Sequence, residues 1–404
     1  MSKNEIKNPI IGGFLAILVI GLVLGIPLFV AFMFSRLIGS FFHIPWWILF
    51  VVFVGLIFYG FYRSGSKTKG GKAKENRAGK PLRPLLPLAQ QNLARLTALG
   101  LPTFNTPETL CSVARIQLST LNWLMHRPER HYARFSIQKS DGKRERAILS
   151  PKKKLKAVQR WIHSEILAPA LHSSASPCAH GFLPARSILT NASAHVGQEI
   201  VVRFDLRDFF PTITRRRVFG LFHAFGYSRL IAGTLAQLTT VNGKLPQGAP
   251  TSPAISNLIC RKLDKRLAGL AKRFHGNYTR YADDLTFSGG NEFKLNLPTF
   301  IPRLKEILAD EDFSLRADKT RFSRKGARQL VTGLVVNRGL SIPREERRRL
   351  RAILHNAKKA GSLASQNRAN HPNFPDHLRG RIAFLGSVQP DKAIKLAEQF
   401  VQLA

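Results

Sequence analysis

Asp283 and Asp284 are adjacent carboxylates in a chain that holds 62 Lys and Arg against 24 Asp and Glu. Neighbouring acids repel each other, and bound divalent cations remove that cost. A third carboxylate is available at Asp205, which closes the run Ile200, Val201, Val202, Arg203, Phe204. Oxygen ligands suit Mg2+, and two such ions roughly 3.5 to 4 Å apart activate an attacking hydroxyl and stabilise a leaving pyrophosphate. These residue types therefore point to two-metal nucleotidyl transfer. The competing reading is that Asp283 and Asp284 are ordinary turn residues, because Asp hydrogen-bonds its own backbone in turns.

The surrounding residues supply the elements such a site needs. Tyr278 to Tyr281 and Leu285 to Phe287 are aromatic, β-branched or apolar, with Gly276 and Gly289 to Gly290 as bounds, so a β-hairpin is expected to carry the pair at its tip. Asp205 is expected at the end of a strand facing the same site. Ser252 and Pro253 start a helix, with Ile255, Leu258, Ile259, Leu263, Leu267 and Leu270 along one face. That helix is expected to pack beneath the sheet. The fold class is α+β.

Tyr281-Ala282-Asp283-Asp284 resembles the signature of reverse transcriptases, and Asp205 upstream matches that family's first metal-binding motif. Between them, Leu245 to Pro253 is similar to the family's template- and nucleotide-binding motif. Asn191 to His195 and Val331 to Leu334 resemble two motifs of retron reverse transcriptases, and the likeness covers most of the chain from Leu88 onward. The resemblance implies a right-hand polymerase of fingers, palm and thumb. It implies two Mg2+ on Asp205, Asp283 and Asp284, with the Leu206 carbonyl as an added ligand. It assigns Arg146, with Lys139, to the incoming triphosphate, Phe210 to exclusion of a 2′-hydroxyl, and Gln247 and Gly248 to the template or nucleotide. Lys319 matches a lysine that protonates pyrophosphate, with a salt-bridged surface lysine as the alternative. Asn191, His195, Val331, Thr332 and Gly333 are assigned to RNA recognition, although an isolated histidine is by default a satisfied structural one.

The net charge of +38 implies a polyanionic partner, nucleic acid first and anionic lipid second. Cys111, Cys178 and Cys260 lie far apart, so neither a zinc site nor a disulfide framework is indicated. Residues 8 to 35 contain no Asp, Glu, Lys or Arg and would form a helix of roughly 40 Å against a hydrocarbon core of ~30 Å. A second charge-free stretch, 37 to 62, follows Arg36. Together they are expected to form a transmembrane hairpin, since the first run is too long for a signal peptide and lacks a cleavage site. Basic residues outside both ends put the catalytic region in the cytoplasm of a bacterium, with the hairpin in the inner membrane. Gly12, Gly13, Gly21 and Gly25 would permit homo-oligomers through close helix packing.

Residues 63 to 87 form a basic flexible linker that lies along the membrane or grips RNA. The expected order continues with N-terminal helices and fingers over 88–199, palm over 200–330, and primer grip with thumb over 331–404. Helices are expected over Ala89 to Leu99, Pro107 to Leu118 with Thr106 as cap, Lys153 to Leu167, and Arg344 to Lys359. Phe135 to Ile137 and Arg146 to Ile148 should pair as a hairpin. The resulting expectation is a retron RNA-directed DNA polymerase. It copies a structured noncoding RNA into RNA-linked single-stranded DNA from dNTPs, in anti-phage defence, with the hairpin as fused effector. Alternatives are an intron-type or abortive-infection reverse transcriptase and a non-catalytic membrane-tethered RNA-binding protein.

Overall fold

Ile200, Val201, Val202 and Phe204 are apolar on both faces of their strand, the pattern of a strand covered on both sides. The computed structural model, which describes residues 88–138 and 145–403, places this strand, β3 (Ile200–Asp205), inside a four-stranded sheet. Its neighbours are β5 (Asp284–Gly289) on one side and β6 (Arg321–Arg324) on the other, with β4 (Gly276–Tyr281) outside β5, all adjacent pairs antiparallel. Register does the essential work. Phe204 pairs with Leu285 and Asp205 with Asp284, so the strand end and the hairpin tip coincide.

Beneath the sheet, the expected single helix is two, Ser252–Ile259 and Arg261–Arg273, meeting at Cys260, where ψ is −1°. Ile255, Leu258, Leu263 and Leu267 are buried as expected, while Ile259 and Leu270 are only half-buried. Phe287 packs between Tyr278 and Phe300, ring centroids 4.8 and 5.0 Å away, and each such buried side chain stabilises the fold by about 1.5 to 3 kcal/mol.

A two-stranded hairpin, β1 (Tyr132–Gln138) with β2 (Glu145–Pro151), forms where expected, opposing Ile137 to Arg146. Thr106 caps the helix Pro107–Ala114 in a reciprocal box with Thr109. That helix stops short of Leu118 because Arg115 takes φ 53°, and a separate helix runs Leu118–Met125. The helix from Lys153 instead runs past Leu167: a π turn, His163–Leu167, leads into Ala168–Ser174. The wide turn lies just ahead of Pro169, which has no N–H to donate. Trp161 is half-buried against the core rather than free to stack on a base.

A second core holds the C-terminal part. A short ladder, β7 (Leu330–Val331) with β8 (Leu334–Val335), stands ahead of the helix Arg344–Ala360, which was expected. Two further helices, Phe374–Val388 and Pro390–Val401, were not; Leu378, Ile382, Leu385, Leu396 and Phe400 bury their inner faces against Leu350 and Leu354. Among the described residues no helix is long and apolar enough to cross a membrane. The two expected spans, the linker 63–87 and Lys139 lie outside the described residues.

Candidate active site

The tip between β4 and β5 is a two-residue loop, Ala282 and Asp283, closed by the pair Tyr281 and Asp284. Ala282 takes φ 56°, in the left-handed region that tight hairpin loops demand and that a side chain resists. The Leu206 N–H donates to the Asp283 carbonyl at 2.9 Å, tying the tip to the end of β3. All three aspartates therefore stand at one end of the sheet.

Their charges are only partly met. Lys319 Nζ lies 2.6 Å from Asp205 Oδ2, Arg316 Nε 3.6 Å from Oδ1, and an Arg203 amino group 3.9 Å from Asp284 Oδ2. Burial, then repulsion from Asp283 and Asp205, pushes the Asp284 carboxyl up to about 6 against the pull of Arg203. Burial likewise raises Asp283. Carboxylate oxygens whose charge is only partly matched fit a hard divalent cation in kind. Among the described residues no group of three metal-binding side chains is already drawn together around one point, and Asp205 Oδ2 accepts from Lys319 Nζ at 2.6 Å.

A cavity of about 370 Å³ opens above the aspartates. Arg146, Phe210, Gln247, Lys319, Leu206, Asp205 and Asp283 line it, so most of the expected nucleotide-binding residues share one space. Phe209 is buried against Phe313 and leaves Phe210 to face the cavity. Gly248 departs from expectation. Its close approach is to β2: a Cβ there would lie 2.7 Å from Ile148 Cγ2, and the Leu149 N–H donates to the Gln247 carbonyl at 2.8 Å. Phe182, missed in the sequence, forms a second aromatic wall 6.4 Å from Phe210 and holds φ 62°. Its only signal was a large apolar residue in a Gly- and Pro-bounded loop.

The residues assigned to RNA recognition divide. Asn191, His195 and Val331 are fully buried and offer no side-chain surface to RNA, whereas Thr332 is half-buried and Gly333 exposed. His195 bridges two strands through Ser288 Oγ at 2.6 Å and Thr279 Oγ1 at 2.7 Å. Thr332 Oγ1 donates to the Ile188 carbonyl at 3.2 Å, so the two segments, far apart in sequence, form one joint between sheet and C-terminal part.

Burial, reinforced by His180, pushes the His195 imidazole down to about 3, so it folds neutral. An unfolded histidine titrates near 6.5, so the unfolded chain binds more protons between those values and stability falls as pH drops through that window. At pH 5 the loss from this group is on the order of 2 kcal/mol. Urea unfolding at pH 7.5 and 5.0 should show a pH-dependent loss smaller by about that amount in His195→Gln. Equal losses in the two proteins would contradict a buried neutral ring.

An antiparallel sheet that gathers three aspartates at one end and offers two of them, Asp205 and Asp283, to a cavity bordered by Arg146, Arg316 and Lys319, under a basic hairpin, defines a nucleotidyl-transferring polymerase palm. The family model for reverse transcriptase (RNA-dependent DNA polymerase) matches residues 137–368. The chain is 39% identical over 344 residues to the retron Mx65 reverse transcriptase of Myxococcus xanthus, covering 79% of this chain and 75% of that protein. It is 40% identical over 347 residues to the retron Mx162 reverse transcriptase of the same organism, covering 76% and 69%. With the retron Ec86 reverse transcriptase of Escherichia coli it shares 36% over 301 residues, 74% of this chain and 89% of the relative. The chain belongs to the retron reverse transcriptases and is an RNA-directed DNA polymerase. That family uses divalent metal ions such as Mg2+.

Proposed function

We propose that this enzyme copies a structured noncoding RNA into single-stranded DNA that stays joined to the RNA. The observation that carries the reading is the register that sets Asp205 beside Asp284, with Asp205 and Asp283 bordering the same cavity as Arg146, Phe210 and Lys319, in a chain of this family. Asp205, Asp283 and Asp284, with the Leu206 carbonyl, hold two Mg2+, which when bound supply an activated primer hydroxyl and charge stabilisation at the phosphate. Arg146 and Lys139 orient the triphosphate, and Gln247 bears on the nucleotide from the segment that Gly248 pins to β2. Phe210 presents a ring that clashes with a 2′-hydroxyl. Lys319 gives a proton to leaving pyrophosphate. Thr332 and Gly333 meet RNA, and Asn191, His195 and Val331 support them from beneath.

Residues 1–62 are proposed to form a membrane hairpin that holds the enzyme at the bacterial inner membrane, with the catalytic region in the cytoplasm. It self-associates through its glycines and acts as the fused effector of an anti-phage system, kept inert by the RNA–DNA product. Two charge-free stretches, each longer than the ~20 residues a span needs, support this.

Expression of the gene with its flanking DNA should yield a discrete single-stranded DNA whose mobility shifts on RNase treatment. Removing residues 1–62 should leave that DNA in place and abolish protection from phage. If protection survives the deletion, the effector role fails. If no discrete DNA forms while the purified protein extends primers on RNA, the polymerase stands and the retron product does not.

A further inference from the structure

Arg280 is fully buried one residue before Tyr281, as the penultimate residue of β4. Its Nε and one amino group donate to the two oxygens of Asp264, each at 2.8 Å. Its other amino group donates to Asn257 Oδ1 at 3.1 Å and to the Ala282 carbonyl at 3.3 Å. Asn257 in turn donates to the Gly181 carbonyl at 2.9 Å, and a Cβ at Gly181 would lie 2.8 Å from the Ala282 nitrogen. Tyr278 donates to Asp264 Oδ1 at 2.8 Å. The strained turn is therefore held from below at its carbonyl and walled in at its nitrogen.

Stability alone does not account for this pair. A buried ion pair is commonly matched or exceeded by apolar residues of the same volume, because removing two charges from water costs several kcal/mol per ion. What apolar residues cannot supply is a donor to a backbone carbonyl in the left-handed turn. A guanidinium supplies it: its rigid fork satisfies Asp264 with one edge and keeps the other for Asn257 and Ala282.

We propose that Arg280 is a positioning residue for the polymerase reaction: it sets the Ala282–Asp283 turn, and through it the places of the Asp283 and Asp284 carboxylates. The proposal rests on the reading of those aspartates as metal holders. Its connections reach beyond the hairpin. Asn257 lies on the helix Ser252–Ile259, which begins within the Leu245 to Pro253 segment, and Gly181 precedes the cavity wall Phe182. The socket thus ties three borders of the cavity to the aspartates.

Two variants test it. Arg280→Lys keeps a charge for Asp264 but has no fork with which to reach Ala282 as well. The apolar triple variant Arg280→Met, Asp264→Leu, Tyr278→Phe removes the ion pair and the tyrosine hydroxyl together, and leaves only Asn257 Oδ1 and the Ala282 carbonyl without the guanidinium donor. For both, melting temperature, primer extension on poly(rA)–oligo(dT) across a Mg2+ titration, and hydrogen exchange over residues 276–289 would be measured. Folded proteins with kcat reduced about 10- to 100-fold, a raised half-saturating Mg2+ and faster exchange at residues 281–284 are expected, the scale set by misplacement of reacting groups. Parental kcat, Mg2+ dependence and exchange in folded Arg280→Lys would overturn the proposal. So would failure of both variants to fold, since Arg280 would then be holding the domain together rather than the turn. Asp283→Asn that still extends primers would remove the reading of the aspartates instead, while the exchange measurement judges the socket independently.

Discussion

Asp283→Asn protein is expected to fold and bind RNA like its parent while DNA synthesis falls by about 10³-fold or more, the scale of losing a charge-stabilising group at a two-metal centre. Asparagine keeps the shape of the side chain and removes the negative charge that would hold a cation. The fold should not suffer. Burial and the nearby Asp205 raise the Asp283 carboxyl above its ordinary range, so ionising it costs more in the folded protein than in the unfolded chain. With a raised native carboxyl, the unfolded chain gives up its proton first as pH rises, and stability is lost through that window. The substitution should therefore leave the melting temperature at pH 7.5 unchanged or higher. Primer extension on poly(rA)–oligo(dT), read beside thermal unfolding and RNA binding, makes the comparison. A melting temperature lowered by many degrees would contradict the burial argument, and preserved synthesis would remove Asp283 from the site.

Gly248→Ala is expected to lose about 10- to 100-fold in kcat/KM, with a raised KM for dNTP, because a modest displacement of a nucleotide-orienting segment costs that much. Gly248 has φ 120°, which side chains rarely adopt, and a Cβ there would lie 2.7 Å from Ile148 Cγ2 and 3.0 Å from the Leu149 carbonyl oxygen. The carbonyl is backbone and cannot swing aside, so β2 must shift, and β2 carries Arg146. Overpacking of this kind typically costs 1 to 3 kcal/mol, roughly, in addition to the ~1 to 2 kcal/mol of a left-handed side chain. Gly243→Ala separates the two contributions. It also has positive φ, 71°, but a Cβ there would meet nothing within 4 Å. It should lose stability and retain its KM for dNTP. Should Gly248→Ala keep the parental KM, the contact with β2 does not govern nucleotide binding.

Local order was legible because its causes are local. Alternating apolar residues bounded by glycines mark β4 and β5, an apolar run ending in Asp205 marks β3, and Thr106 before Pro107 marks a helix start that the capping box bears out. Helix ends were less legible. Arg115 and Cys260 carry no breaker chemistry in the sequence, and the helices Phe374–Val388 and Pro390–Val401 follow a stretch rich in Asn, His and Pro that masks their inner faces.

By itself, the sequence determined which residues are acidic, apolar or able to turn, and so the hairpin, the strand-end aspartate and the basic partner-seeking surface. Only the tertiary structure decided which distant groups meet. Lys319 reaches Asp205 across 114 positions, and His195 reaches Thr279 and Ser288 across 84 and 93. Arg280 could have been read as a solvated strand residue and His195 as an RNA contact, yet both are enclosed. A polar side chain is buried only when the fold brings it a partner, and that partner is chosen by sheet register and helix packing, which no local pattern of residues encodes.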